Sequence, residues 1–222
     1  MAAPTAFSRD FTAEKLNRAA VIMPSGRSPY LSWRSFESDD PTLYFDIYRD
    51  GKKINTTPIT NSTDYKDAKG KMTQEYIIKA MLGDEVVEEF TPMKWASSKE
   101  MTLSLPDGGK TPSGEDYTYE PNDCSVGDID GDGEMELFMK WYPTNAKDNS
   151  QNGYTGNTII DCYKLDGTLV WRVDLGMNIR SGAHYTQFMV YDFDGDGKAE
   201  MICKTAPGSM DAAGNYVNTA AA

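Results

Sequence analysis

The chain has 222 residues, 39% of them apolar and 11% aromatic, which is material for one large domain or two ordinary ones with packed cores and excludes a disordered polymer. Its 34 acidic residues against 22 basic give a formal net charge of -12, and a surface of that sign excludes nucleic acid, whose phosphates need a basic face. No apolar run approaches the length of a membrane span.

The N-terminal segment, residues 1–17, carries no apolar stretch of the secretory type, which leaves an intracellular protein or one whose signal peptide has been removed or lost. Helix-period patterning is scarce, apart from a short stretch over residues 12–18 that would allow a helix. Alternation of period two dominates everywhere else, so the expected fold class is all-β. In PYLSWRSF, Leu31 and Trp33 fall on one face and Ser32 and Arg34 on the other. In LYFDIYRDGKKI, Leu43, Phe45 and Ile47 alternate with Tyr44, Asp46 and Tyr48, and Asp50-Gly51 closes a hairpin because glycine accepts the positive φ of a tight turn. TQEYIIKAMLGDEVVEEF supplies another strand pair around Gly83-Asp84. Short strands with turn signals between them and an early core tryptophan suggest a small β-sandwich of the fibronectin type III pattern over residues 18–105, a packing domain with no visible chemistry.

LPDGGKTPSGEDYTYEPND is rich in turn residues and marks the boundary, so a second region is expected over residues 106–222. Its clearest hairpin is TIIDCYKLDGTLVWRVDL, with Asp166-Gly167 at the turn and Leu169, Trp171 and Val173 on one face. The three cysteines, Cys124, Cys162 and Cys203, have no metal-type spacing, and Cys162 and Cys203 sit in strand-like runs that suit buried free thiols.

The most informative feature of this region is a repeat. VGDIDGDGEMELFMKW begins at Val126 and VYDFDGDGKAEMICKT at Val190, matching Asp128 with Asp192, Asp130 with Asp194, Asp132 with Asp196, Glu136 with Glu200 and Lys140 with Lys204. A hairpin lies between the copies, so one repeat holds about four strands, the content of a propeller blade, lengthened by the polar loop PTNAKDNSQNGYTG. The second copy reaches only two strands, and a closed propeller needs at least four blades. The sequence is therefore expected to be the N-terminal part of a longer protein, with further blades elsewhere.

Carboxylates at loop positions 1, 3 and 5 with glycine at 6 are the front half of a calcium loop, and oxygen-only ligands select a hard cation. An EF-hand closes with glutamate at position 12, where this chain has Met139 and Cys203; here the closing carboxylate stands at position 9. The expected Ca2+ ligands are Asp128, Asp130, Asp132 and Glu136 for one ion and Asp192, Asp194, Asp196 and Glu200 for the other, joined by the position-7 carbonyls of Glu134 and Lys198. A structural role, pinning a turn between strands, is favoured over a catalytic one.

The stretches EKLNRAAVI, LSWRSF, YRDGKKIN, EDYTYEPNDCSVGDIDGDGEMELFMKW and NTIIDCYKLDGTLVWRVDLGMNIRSGAHYTQFMVYDFDGDGKAEMICKTA resemble the rhamnogalacturonan lyases of polysaccharide lyase family 11. The likeness covers almost the whole chain beyond about residue 14 and is most specific over residues 117–206. It implies a fibronectin-like domain followed by a calcium-loaded eight-bladed propeller, in a chain several hundred residues longer. It also implies cleavage of rhamnogalacturonan I, a pectin polysaccharide, by β-elimination, and work outside the cytoplasm, secreted or periplasmic. A cation on the galacturonate carboxylate would make the adjacent C5 proton more acidic.

By the same resemblance Asn122 matches a substrate-contacting position, with a turn residue capping the loop as its bland alternative, and Asp123 an acidic position near calcium that could ligate the ion directly. The family pattern expects KWDP where this chain reads KWYP, so Tyr142 departs from it and puts substrate preference in doubt. Two further residues are candidates for substrate: Arg180, which would either pair a uronate carboxylate or brace its loop, and the sole histidine, His184, for which a structural role in a strand is the bland alternative. Lys140 and Lys204, equivalent in the repeat, read as structural. The catalytic base is assigned to no residue. The competing reading is a non-catalytic, calcium-stabilised β module that binds carbohydrate or protein, and these residues alone are expected to be inactive.

Overall fold

The computed structural model describes residues 16–95 and 100–218. Among them every regular element is a strand and none is a helix. The allowed helix over residues 12–18 lies mostly outside the described residues, and its last part, from Leu16 on, is irregular. Contacts gather the chain into two compact units, one spanning Leu16–Glu100 and one taking in Met101–Ala222.

The first unit holds β1 (Val21–Ser25), β2 (Ser28–Ser32), β3 (Tyr44–Arg49), β4 (Lys52–Lys53), β5 (Asp64–Lys66), β6 (Tyr76–Leu82), β7 (Glu85–Phe90) and β8 (Met93–Lys94). They form two four-stranded sheets of order β5-β2-β1-β8 and β4-β3-β6-β7; every pairing is antiparallel except β1 with β8. One core is drawn from both sheets. Ile22 and Leu31 come from the first, Phe45, Ile47, Tyr76 and Ile78 from the second, and Trp33 packs edge-on against Phe45 at 5.2 Å between ring centroids. The alternation in β2 and β3 thus marks the buried face. The β3–β4 turn places both Asp50 (φ 47°) and Gly51 (φ 76°) in the left-handed region, which aspartate tolerates and glycine accepts without cost. At the sheet edge β7 leaves Val86 and Val87 exposed among glutamates, a charge pattern that discourages edge-to-edge pairing.

The second unit begins with the small pair β9 (Gly109–Lys110) and β10 (Asp116–Tyr117). Then β11 (Tyr119–Gly127), β12 (Glu136–Pro143), β13 (Ile159–Tyr163) and β14 (Leu169–Asp174) form a four-stranded antiparallel meander in chain order. A last antiparallel pair is β15 (Phe188–Tyr191) with β16 (Glu200–Cys203). The division between units falls at Glu100/Met101, ahead of the expected 105/106 boundary, because the linking residues pack forward. Leu103 lies on the cluster of Tyr119, Trp141, Ile159 and Tyr163, and the Tyr163 hydroxyl donates to the Ser104 carbonyl at 2.6 Å.

At the centre of the meander Asp161 is fully buried. Its carboxylate accepts from Trp141 Nε1, Tyr163 Oη and two guanidinium nitrogens of Arg172, at 2.7–2.9 Å. A buried carboxylate without such partners would be strongly disfavoured, so the four donors account for its place in a core strand. Trp171 is half-buried and contacts Phe138 edge-on at 5.4 Å between ring centroids. Cys162 is buried, with its thiol pushed up to about 12 by burial and nearby carboxylates. Cys203 is only half-buried and Cys124 is exposed; all three are free.

Candidate functional site

The two acidic loops occupy the same place in successive antiparallel pairs, residues 128–133 between β11 and β12 and residues 192–197 between β15 and β16. Their backbones fold alike for a local reason. The Asp128 carboxylate accepts from the amides of Gly131 (2.7 Å) and Gly133 (2.8 Å), and Asp192 accepts from Gly195 (2.6 Å) and Gly197 (2.9 Å). Those four glycines all have positive φ, between 79° and 92°, which few other residues adopt without strain. Glu136 then reaches back to the amide of Ile129, and Glu200 to that of Phe193, both at 3.0 Å.

The result is convergence. Carboxylate oxygens of Asp128, Asp130 and Glu136 lie within 4.8 Å of one another, and so do those of Asp192, Asp194 and Glu200. Oxygens about 2.3–2.6 Å from one ion can be no more than about 5 Å apart, so each trio matches the span of a single calcium-sized coordination sphere. Asp132 and Asp196 fall outside the trios; each accepts the amide two residues on, from Glu134 and Lys198 respectively, at 2.8 and 2.9 Å.

Electrostatics point the same way. Asp128 and Glu136 are only 1% and 2% exposed. Burial raises the Glu136 carboxyl above its ordinary range, and the neighbouring Asp130 and Asp132 push it further up. Lys164 offsets part of this through Asp130 at 3.2 Å, and its ammonium holds the Asp130 carboxyl below its usual value. No printed pattern in the sequence announces Lys164, because it comes from the β13–β14 turn across the sheet. An all-oxygen, crowded, partly buried anionic set is what a hard divalent cation fits.

Other expected site residues gather away from the acidic loops. Asn122 is not in a turn but on β11, where the register with β12 shifts between Pro121 and Cys124. Its Nδ2 donates to the Ala183 carbonyl at 3.5 Å, and its Oδ1 is buried with no partner. Asp123 stands outside both trios and pairs with Lys140 Nζ at 2.6 Å. Tyr142, on β12, donates its hydroxyl to Glu120 at 3.3 Å. His184 lies in an exposed turn before β15 and not in a strand. Of the two roles considered for Arg180, the structure realises the loop brace. Its guanidinium donates to the backbone carbonyls of Lys147, Asp148, Gln151 and Gly153, which orders the polar loop between β12 and β13. Lys140 and Lys204 differ despite their matching places, the first buried and the second exposed.

The family description "Rhamnogalacturonan lyase family 11, C-terminal domain" matches residues 98–222, more than half of the chain. The chain belongs to rhamnogalacturonan lyase family 11. A second description, the β-sheet domain of rhamnogalacturonan I lyases, matches residues 11–95. Among individual proteins, this family 11 chain is 49% identical over 209 residues to the rhamnogalacturonan endolyase YesW of Bacillus subtilis, covering 93% of itself and 34% of that relative. It is 48% identical over 206 residues to the rhamnogalacturonan exolyase YesX of the same organism, covering 92% of itself and 34% of that protein. The crystal structure of rhamnogalacturonan lyase YesW superposes with a TM-score of 0.88 at 48% identity, over 95% of this chain and 36% of that one. A Bacillus licheniformis rhamnogalacturonan lyase superposes at 0.86 with 50% identity, over 95% and 36%. The chain thus spans about a third of the length of the relatives it matches, and a protein named as an endolyase and one named as an exolyase share that third with it.

Proposed function

We propose that the protein carrying this chain is a calcium-dependent rhamnogalacturonan lyase that cleaves the rhamnose–galacturonate bond of rhamnogalacturonan I by β-elimination. The observation that carries the proposal is 49% identity over 93% of the chain to a protein named as a rhamnogalacturonan endolyase. In the reaction a base removes the C5 proton of galacturonate, which is acidified by its neighbouring carboxylate; the electron pair forms the C4–C5 double bond and the 4-linked sugar leaves as its alcohol. The product is an unsaturated galacturonosyl end. A polymeric pectic substrate suits a secreted or periplasmic enzyme.

The finer architecture belongs to the same proposal. Sheets of order β5-β2-β1-β8 and β4-β3-β6-β7 around one core support a fibronectin type III-like sandwich. The β11–β14 meander and the following β15–β16 pair, each carrying the same acidic loop, support successive blades of a β-propeller.

Asp128, Asp130 and Glu136 would hold one Ca2+ and Asp192, Asp194 and Glu200 another. A bound ion would neutralise these carboxylates and stiffen the turns between strands. The chain's own groups nearest to a sugar-binding role are Asn122, with a free carbonyl oxygen, the Tyr142 hydroxyl, and the exposed His184. Arg180 braces the wall beside them.

The test is the protein as expressed from its own gene, incubated with rhamnogalacturonan I in calcium and followed by ultraviolet absorbance of the new double bond. A rising trace bears the proposal out. A flat trace with measurable polysaccharide binding would establish instead a non-catalytic carbohydrate-binding module.

A further inference from the structure

Lys140 is a charged side chain in a place where charge is costly. It projects from the middle of β12, is 1% exposed, and its ammonium has three oxygen partners: Asp123 Oδ2 at 2.6 Å, the Tyr185 carbonyl at 3.2 Å and the Thr186 carbonyl at 3.4 Å. An ammonium carries three N–H donors, so the set is complete. Removing it from water is offset only because all three donors are engaged, one of them by a carboxylate.

What the ammonium joins is more specific than a core contact. Asp123 sits where β11 slips register against β12, beside Asn122. Tyr185 and Thr186 belong to the turn segment that carries His184. Thr186 has φ 61°, a left-handed conformation that a β-branched residue rarely adopts, and its backbone is held there by the carbonyl contact to Lys140. The same segment is tied on its other sides by Asn122 Nδ2 to Ala183 and by the Tyr185 hydroxyl, which accepts from the Asn149 amide at 2.9 Å. A cavity of about 440 Å³ opens on this segment, lined among others by Asn149, His184, Tyr185, Thr186 and Lys204.

We propose that Lys140 is a positioning residue: its buried ammonium ties the strained His184-bearing segment, which lines that cavity, to the shifted part of β11 at Asn122–Asp123 and so fixes that wall of the cavity. The matching lysine of the second repeat does not share this role, since Gln187 stands where Asp123 stands in the first and Lys204 is exposed. The pin is therefore a property of one copy, in contrast to the acidic loops, which both copies share.

His184 is the only histidine in the chain, so its imidazole NMR signals report the wall without assignment of the rest. The spectra compare the parent chain with Lys140→Met, which keeps the length and loses the charge, and with Asp123→Asn, whose side chain is 53% exposed. The proposal expects the His184 resonances to shift and broaden in Lys140→Met while the dispersed signals of the remaining core persist, with a smaller change in the same direction in Asp123→Asn. Unmoved His184 signals in a folded Lys140→Met protein overturn it. Should Lys140→Met fail to fold, Asp123→Asn decides by the same criterion. A turnover arm rests on the proposed lyase activity: kcat/KM for rhamnogalacturonan falls about tenfold or more in Lys140→Met as the wall loosens. That arm uses the protein expressed from its own gene; absence of turnover in every form of it, parent included, removes the lyase reading and leaves the pin judged by the histidine signals.

Discussion

The backbone amide of Ala199 donates to the backbone carbonyl of Asp128 at 2.7 Å, so the residue that opens the first acidic loop is bonded to the strand entry that closes the second. The two candidate ion sites are thereby coupled through main chain, and stiffening one loop holds an anchor of the other.

If the two trios hold calcium as proposed, the ion is expected to stabilise the fold. Ligand that binds only the folded state at about a hundred times its Kd adds about 2.7 kcal/mol, which for a chain of this size raises Tm by about 5 °C or more. Differential scanning calorimetry in calcium and in excess chelator checks this, and Asp128→Asn combined with Asp192→Asn abolishes the response. An identical melt with and without chelator removes calcium from the proposal.

Gly127 packs where two strand pairs meet. A Cβ at that position would lie 2.6 Å from both Ala199 Cβ and Val190 Cγ1, closer than carbon atoms approach. Gly127→Val is expected to cost about 1–3 kcal/mol through forced displacement of β15, read as a lower urea midpoint at unchanged slope. A variant as stable as the parent would show that this junction yields freely.

Asp161 stands at the other extreme of sensitivity. Asp161→Ala leaves the Trp141 donor and the Arg172 charge without their acceptor, while the Tyr163 hydroxyl keeps the Ser104 carbonyl, and the expected loss is about 3–5 kcal/mol. Triple replacement of Asp161, Arg172 and Tyr163 by apolar residues of similar volume should cost less than the single change, because no orphaned charge remains. Chemical denaturation of both variants makes the comparison.

The first unit has its own acid-sensitive pair. Arg18 grips Asp39 with two nitrogens at 2.6 and 2.7 Å, and that hydrogen bonding holds the Asp39 carboxyl below its ordinary value. With the folded-state value depressed, the unfolded chain takes up the proton first. The contribution is complete above the unfolded value of about 4 and is lost as the pH falls through the folded one. Asp39→Asn should lower stability by about 2 kcal/mol at pH 7 and flatten the loss of stability as the pH falls below about 4. Parallel acid titrations of parent and variant by circular dichroism test the sign.

Much of the architecture was legible because its causes are local. Alternation put Leu31, Phe45 and Ile47 inside, and Asp50-Gly51 and Asp166-Gly167 turned chains where glycine meets positive φ. The aspartate spacing likewise brought Asp128, Asp130 and Glu136 together, since a carboxylate that caps amides three and five residues on needs only its own loop. Tertiary structure decided the rest. It paired Asp123 with Lys140 away from the converging trios, turned Arg180 onto four backbone carbonyls, moved His184 from strand to exposed turn, and buried Lys140 while exposing its repeat-mate Lys204. Each of those outcomes depends on partners far along the chain. Spacing can dictate which groups a single loop gathers; which distant carbonyl or carboxylate meets a lysine or arginine is set only when the sheets pack and the cost of burying a charge selects its partners.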